Sequence, residues 1–231
     1  MEEFDGPSLN LNHWNQEIGN GSGGWGNNEL QYYTSSKKNV FVSKGNLIIE
    51  ARKDAIEGYT YSSARITTKA KKEFTFGRID IRAKLPKGKG IWPALWMLGA
   101  NISTVGWPSC GEIDIMELVG SAPNQVHGTL HWKGMDGHLY KGGNIVLPSG
   151  DFSQEFHVYS LIWEENKIQW LLDDKVFYTM QKSDFGTAHY PFNAPQFFIL
   201  NVAVGGNWPG SPDESTVFPQ RLFVDYIRVF Q

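Results

Sequence analysis

Residues 78–85, RIDIRAKL, alternate charged and apolar side chains without a break: Arg78, Asp80, Arg82 and Lys84 against Ile79, Ile81, Ala83 and Leu85. A repeat of two places successive side chains on opposite faces of an extended chain. Such a segment makes a strand with one buried and one wet face. Strand-like runs recur from Leu30, Val40, Asn46, Gln125, His157, Lys167, Lys175, Gln196 and Arg221, and no helical period is sustained anywhere. Turn-forming pieces separate them: Lys44-Gly45-Asn46, Lys87-Gly88-Lys89-Gly90 and Asp173-Asp174. Short strands with turns between them and no helices imply an all-β sandwich or barrel.

A chain of 231 residues suits one large all-β domain or two small ones. No linker, repeat or low-complexity block divides it, so a single domain over residues 1–231 is expected. Hydrophobic content of 41% and aromatic content of 14% supply a sizeable core and leave aromatics for a groove. A net charge of −3 with scattered signs points to no nucleic-acid and no anionic-membrane partner. The single cysteine, Cys110, makes neither an internal disulfide nor a thiolate zinc site. No apolar run approaches the roughly 20 residues that span a membrane. The start, MEEFDGPSLN, has no basic and then apolar export segment. The chain therefore reads as cytosolic, or as a mature form whose signal has been removed.

Two loops are too long and too polar to be mere connectors: residues 15–29, NQEIGNGSGGWGNNE, and residues 206–220, GNWPGSPDESTVFPQ. Long loops in compact domains are often functional. Each carries a tryptophan, Trp25 and Trp208, that either meets a ligand or folds back over the sandwich edge.

The chemistry concentrates in GEIDIMELVG, residues 111–120, where Glu112, Asp114 and Glu117 sit among Ile113, Ile115, Met116 and Leu118. On a helix, Glu112 and Glu117 point in quite different directions. On a regular strand Glu112 and Asp114 share a face and Glu117 turns into the opposite layer, where a lone carboxylate is costly. A β-bulge near Ile115-Met116 shifts the parity by one and returns Glu117 to the face of the other two. The outer two Cα atoms then lie roughly 13 Å apart at about 3.3 Å per residue. Inward-leaning side chains bring their oxygens to about the 5–5.5 Å of retaining glycosidases. Three readings compete. A metal site can use the acids with His127 or His131, although a row on one flat face encircles a metal poorly. A solvated acidic face sits badly with the flanking apolar residues. Two catalytic carboxylates with a helper between them fit best.

The chain resembles the laminarinase-type endo-β-1,3-glucanases of glycoside hydrolase family 16. GEIDIME matches that family's Glu-x-Asp-x-x-Glu signature, one residue longer than the Glu-x-Asp-x-Glu of the lichenase branch. NNELQYYT, SARITTK, FGRIDIRAKLPKGKGIWPALWMLG, VHGTLHW, LNVAVGGNWPG and VDYIRV resemble the family in the same order. The resemblance implies a concanavalin A-like β-jelly roll: two curved antiparallel sheets with the cleft on the concave face. It implies endo-acting, retaining hydrolysis of internal β-1,3-glucosidic bonds in laminarin-like β-glucans. Related specificities, mixed-linkage β-1,3-1,4-glucan or a galactan, and a non-catalytic glucan-binding module are the alternatives. A secreted monomer with its export signal removed is expected.

Residue by residue, Glu112 matches the nucleophile, Glu117 the acid/base and Asp114 the helper that hydrogen-bonds the nucleophile. Closely placed carboxylates disfavour full ionisation, so one proton is retained above its usual range. His131 matches a polar cleft position, and His127, four residues earlier, is left as structural. Sugar faces stack on indoles while their hydroxyls need polar partners. Trp96, Trp92, Trp107 and Trp208 are the stacking candidates, and Asn28 and Arg65 match polar cleft residues. Core packing is the plainer role for Trp132, Trp163 and Trp170. No cofactor is expected for catalysis. The resemblance also implies a structural calcium at Glu3, Gly45 and Asp225, far from the acids.

Overall fold

The computed structural model describes residues 2–231. Two seven-stranded antiparallel sheets dominate it. Across the first run, in spatial order, β1 (Asn15–Glu17), β6 (Arg65–Thr67), β15 (Gln196–Val204), β8 (Ile91–Gly99), β9 (Glu112–Glu117), β10 (Gln125–Lys133) and β11 (His138–Val146). The second holds β14 (Lys175–Gln181), β13 (Lys167–Leu172), β12 (His157–Glu164), β7 (Gly77–Lys84), β16 (Gln220–Phe230), β4 (Asn46–Ala51) and β3 (Val40–Ser43). A short parallel pair, β2 (Gln31–Tyr33) and β5 (Tyr61–Ser63), forms a small sheet of its own. One helical turn, α1 (Ile102–Val105), precedes β9. No described helix is long and apolar enough to cross a membrane.

The core lies between the two sheets, where alternate residues from each meet. Ile79, Ile81 and Ala83 of β7 are fully buried, while Arg78, Asp80, Arg82 and Lys84 lie on the outer face, as the period of two dictates. β15 departs from that rule, for all nine of its residues are buried. Its even-numbered residues Phe198, Leu200, Val202 and Val204 face the main core. Phe197 and Ile199 join Leu98 and Cys110 in a second small cluster on the other face, which explains the unbroken apolar run QFFIL.

β11 was not legible in the sequence. Seven of its nine residues are exposed, so HLYKGGNIV shows no alternation to read. It is held by pairing along the whole of β10, from Gln125 opposite Val146 to Lys133 opposite His138.

Candidate active site

Gly111 turns the chain into β9 with a left-handed φ of 79°, and a Cβ there would crowd Pro191 and Phe192. Along β8, Leu98 lies opposite Glu112, Trp96 opposite Asp114, Leu95 opposite Met116 and Ala94 opposite Glu117. Ile115 has no partner. On the other side Thr129 faces Asp114 and His127 faces Glu117, so Gly128 alone spans Ile115 and Met116. This is the expected bulge. Ile113, Ile115 and Met116 all enter the core, while the three acids line one cleft.

The bulge is secured from behind. The buried Trp170 of β13 donates its indole N–H to the Asp114 carbonyl at 2.8 Å. A Cβ on Gly128 would collide with that indole, so the glycine opens the route from one sheet to the other. Trp163 and Trp132 are also buried, in keeping with their core assignment.

The cleft encloses about 700 Å³. It crosses β6, β15, β8, β9, β10 and β11, a span of about 24 Å at strand spacings near 4.8 Å. Asp114 is only 2% exposed. Each flanking glutamate gives one oxygen to an indole: Trp107 donates to Glu112 Oε2 at 2.7 Å, and Trp92 donates to Glu117 Oε1 at 3.0 Å. The other oxygen of each has no such donor among the described hydrogen bonds. His131 Nε2 lies 3.1 Å from Asp114 Oδ2 and 3.8 Å from Glu112 Oε1.

Burial drives the three acids upward together. Desolvation and then the neighbouring Asp114 push Glu112 up to about 8, while His131, the Trp107 N–H and Arg65 pull against it. Desolvation alone raises Asp114. Glu117 stands well above the usual carboxylate range, through desolvation and then repulsion by Asp114 and Glu112. All three acids are thus held protonated beyond the ordinary carboxylate range, and Glu117 meets the repulsion of both others.

Two aromatic corners flank the acids. Beside Glu117, Trp92 meets Trp208 edge-on at 5.5 Å, and Trp208 meets His127 at 5.1 Å. Beside Glu112, His138 packs on Trp107 at 4.6 Å, and Tyr140 stacks with both His131 and His138. Arg65 lies between Trp25 at 4.3 Å and Trp96 at 4.9 Å, with its guanidinium 2.6 Å from Glu17. Trp25, Arg65, Trp92, Trp96, Trp107, His131 and Trp208 all line the cleft.

Asn28 does not. Its left-handed φ of 55° turns the side chain to Asn207, and its Nδ2 donates to Oδ1 there at 2.9 Å. The Asn207 N–H in turn donates to the Asn27 carbonyl at 2.8 Å. The two long loops are thereby clasped together, and each brings its tryptophan to the cleft. His127 needs the opposite correction: it faces the cleft across from Glu117. Its shared parity with His131 was the available signal. His138 and Tyr140 of β11 were missed altogether, since nothing marked their strand.

The two carboxylates of the implied calcium set, Glu3 and Asp225, each face an arginine in this structure. Glu3 accepts two hydrogen bonds from Arg228, at 3.0 and 2.9 Å, and Asp225 accepts one from Arg82 at 2.6 Å. Carboxylates already neutralised by guanidinium groups are a poor donor set for a hard dication, and no role is derived from one.

Residues 27–228 match the family model described as glycosyl hydrolases family 16. A beta-glucanase of Rhodothermus marinus is 44% identical, over 100% of this chain and 83% of its own length. A glucan endo-1,3-beta-glucosidase of Niallia circulans is 41% identical over 100% of this chain, which spans only 37% of that longer protein. The solved catalytic domain of an endo-1,3-beta-glucanase (laminarinase) from Thermotoga petrophila is 50% identical, with a TM-score of 0.92. That match covers 100% of this chain and 95% of the other.

Proposed function

The chain belongs to glycosyl hydrolase family 16, and on that premise we propose that it is an endo-acting, retaining β-1,3-glucanase cutting laminarin-like glucans. The observation that carries this reading is the bulged β9, with its two outer carboxylates gripped by different indoles and facing one long cleft.

Glu112 is the nucleophile. In its ionised form, favoured by His131 and by the Trp107 N–H on Oε2, Glu112 attacks the anomeric carbon through Oε1. Glu117, whose proton is held above the usual carboxylate range by burial and by its two acidic neighbours, donates that proton to the departing glycosidic oxygen as the C–O bond breaks. The glycosyl ester that forms cancels the charge on Glu112. Repulsion on Glu117 falls, it loses its proton more readily, and it accepts one from the water that cleaves the ester. Two inversions leave the anomeric configuration unchanged. His131 sits beside both Asp114 and the nucleophile, its Nε2 3.1 Å from the one and 3.8 Å from the other. A cleft that crosses six strands accepts the middle of a chain, which supports endo action. The aromatic corners supply sugar-stacking faces on both sides of the cut. A polymeric substrate is met outside the cell, so the enzyme is read as secreted. The chain is read as one catalytic domain acting as a monomer.

The test is digestion of laminarin, curdlan, lichenan, agarose and carrageenan with analysis of the products. Internal cleavage of laminarin, with a ladder of oligosaccharides appearing early, is expected. Cleavage of the galactans alone would overturn the substrate assignment.

A further inference from the structure

We propose that the cleft is also a divalent transition-metal site, in which Glu112, Asp114 and His131 together grip one ion such as zinc and thereby block glucan entry. One ligand atom from each lies within 4.8 Å of the other two. Tetrahedral zinc with bonds of about 2.0–2.2 Å keeps its ligand atoms roughly 3.3–3.6 Å apart. The His131 Nε2 distances of 3.1 Å to Asp114 and 3.8 Å to Glu112 straddle that spacing.

A flat row of acids encircles a metal poorly. Here the third ligand comes from the neighbouring strand, because His131 of β10 is the register partner of Glu112 of β9. The ligands therefore converge from two strands, and the remaining coordination position opens to the cleft.

Asp114 Oδ2 is the independent pointer. It is buried, it has no hydrogen-bond partner, and it faces His131 Nε2 at close range. The far ring nitrogen is already engaged, since His131 Nδ1 lies 2.8 Å from His138 Nε2. That contact turns the other ring nitrogen, Nε2, toward the two carboxylates. His138 is thus the outer partner that fixes ring orientation, as metal-bound histidines require. One imidazole and two carboxylates suit zinc, cobalt or nickel rather than calcium.

The other histidine–carboxylate contacts, His13 with Glu2 and His157 with Asp173, form no three-residue cluster among the described residues. The Cys110 thiol is buried and out of reach of solvent metal.

Metal binding is measured first without glucan, so that this test stands apart from the glucanase assignment: cobalt titration followed by visible absorption, and zinc by calorimetry. Inhibition of laminarin hydrolysis by zinc, which does rest on that assignment, follows at several laminarin concentrations. One ion per chain, competition with laminarin and reversal by a chelator are expected. His131→Ala and Asp114→Asn, checked for folding by circular dichroism, should each weaken zinc binding tenfold or more, while His157→Gln leaves it unchanged. Zinc affinity unaltered in either folded cleft variant, no binding up to millimolar metal, or purely non-competitive inhibition would overturn the proposal.

Discussion

Glu112 and Glu117 are the same residue type five positions apart, yet their surroundings differ. Both are raised by burial, and Glu117 carries the added repulsion of two acids. For Glu112→Gln the account expects hydrolysis to be abolished and stability to change with pH. The native fold binds a proton at Glu112 between the ordinary carboxylate range and about 8 that the unfolded chain has already lost. Wild-type stability from this group is therefore complete at low pH and falls as pH rises toward 8. Calorimetry should show the glutamine variant melting above wild type at pH 8, by about 2–4 °C per kcal/mol relieved, with the gap narrowing toward pH 4. A gap that widens toward acid would reverse the assignment. Trp92→Phe keeps the ring and removes the N–H that favours ionised Glu117. The alkaline limb of its kcat/KM profile should shift to higher pH; a shift to lower pH contradicts the hydrogen-bond role. The sequence made Glu112, Asp114 and Glu117 readable through their spacing, and His131 through its family match. It did not reveal the indole donors, because a hydrogen bond from Trp92 to a residue 25 positions away depends on strand register.

The bulge is the element on which the site turns. Its presence followed from a parity argument, and the register places the unpaired residue at Ile115. Deleting Ile115 alone should yield a regular strand with all three acids still facing the cleft, and a folded protein with measurable hydrolysis. Deleting Ile115 and Met116 together turns the last glutamate toward the core, so activity should vanish and stability fall steeply. Equal activity in the two deletions would mean that parity does not govern the site. Other elements were legible in proportion to how one-sided their burial is. β7 alternates cleanly. β15 is buried on both faces and showed only as an apolar run. β11 is exposed along most of its length, and its position comes entirely from pairing with β10. His138 and Tyr140 went unseen for that reason. The two long loops were flagged by length and composition, but their clasp through Asn28 and Asn207 joins residues 179 positions apart.

At the scale of the whole molecule, the alternation of polar and apolar residues led to the all-β sandwich, and the family resemblance supplied the jelly-roll connectivity. One sheet carries the cleft and the other backs it, with Trp170 reaching across the core to hold the catalytic strand. The chain ends meet on the outer sheet, where Glu2 pairs with Ile227 and Glu3 binds Arg228. Sequence matching located the acids of the implied calcium set but not the cations beside them, Arg228 and Arg82. The central claim is that two carboxylates brought to one face by a bulge carry out a double displacement on β-1,3-glucan. Proton NMR of laminarin during the first minutes of hydrolysis tests it most directly. The account predicts that the new reducing ends appear first as the β-anomer and only later equilibrate to α, whereas α-anomer appearing first would contradict it.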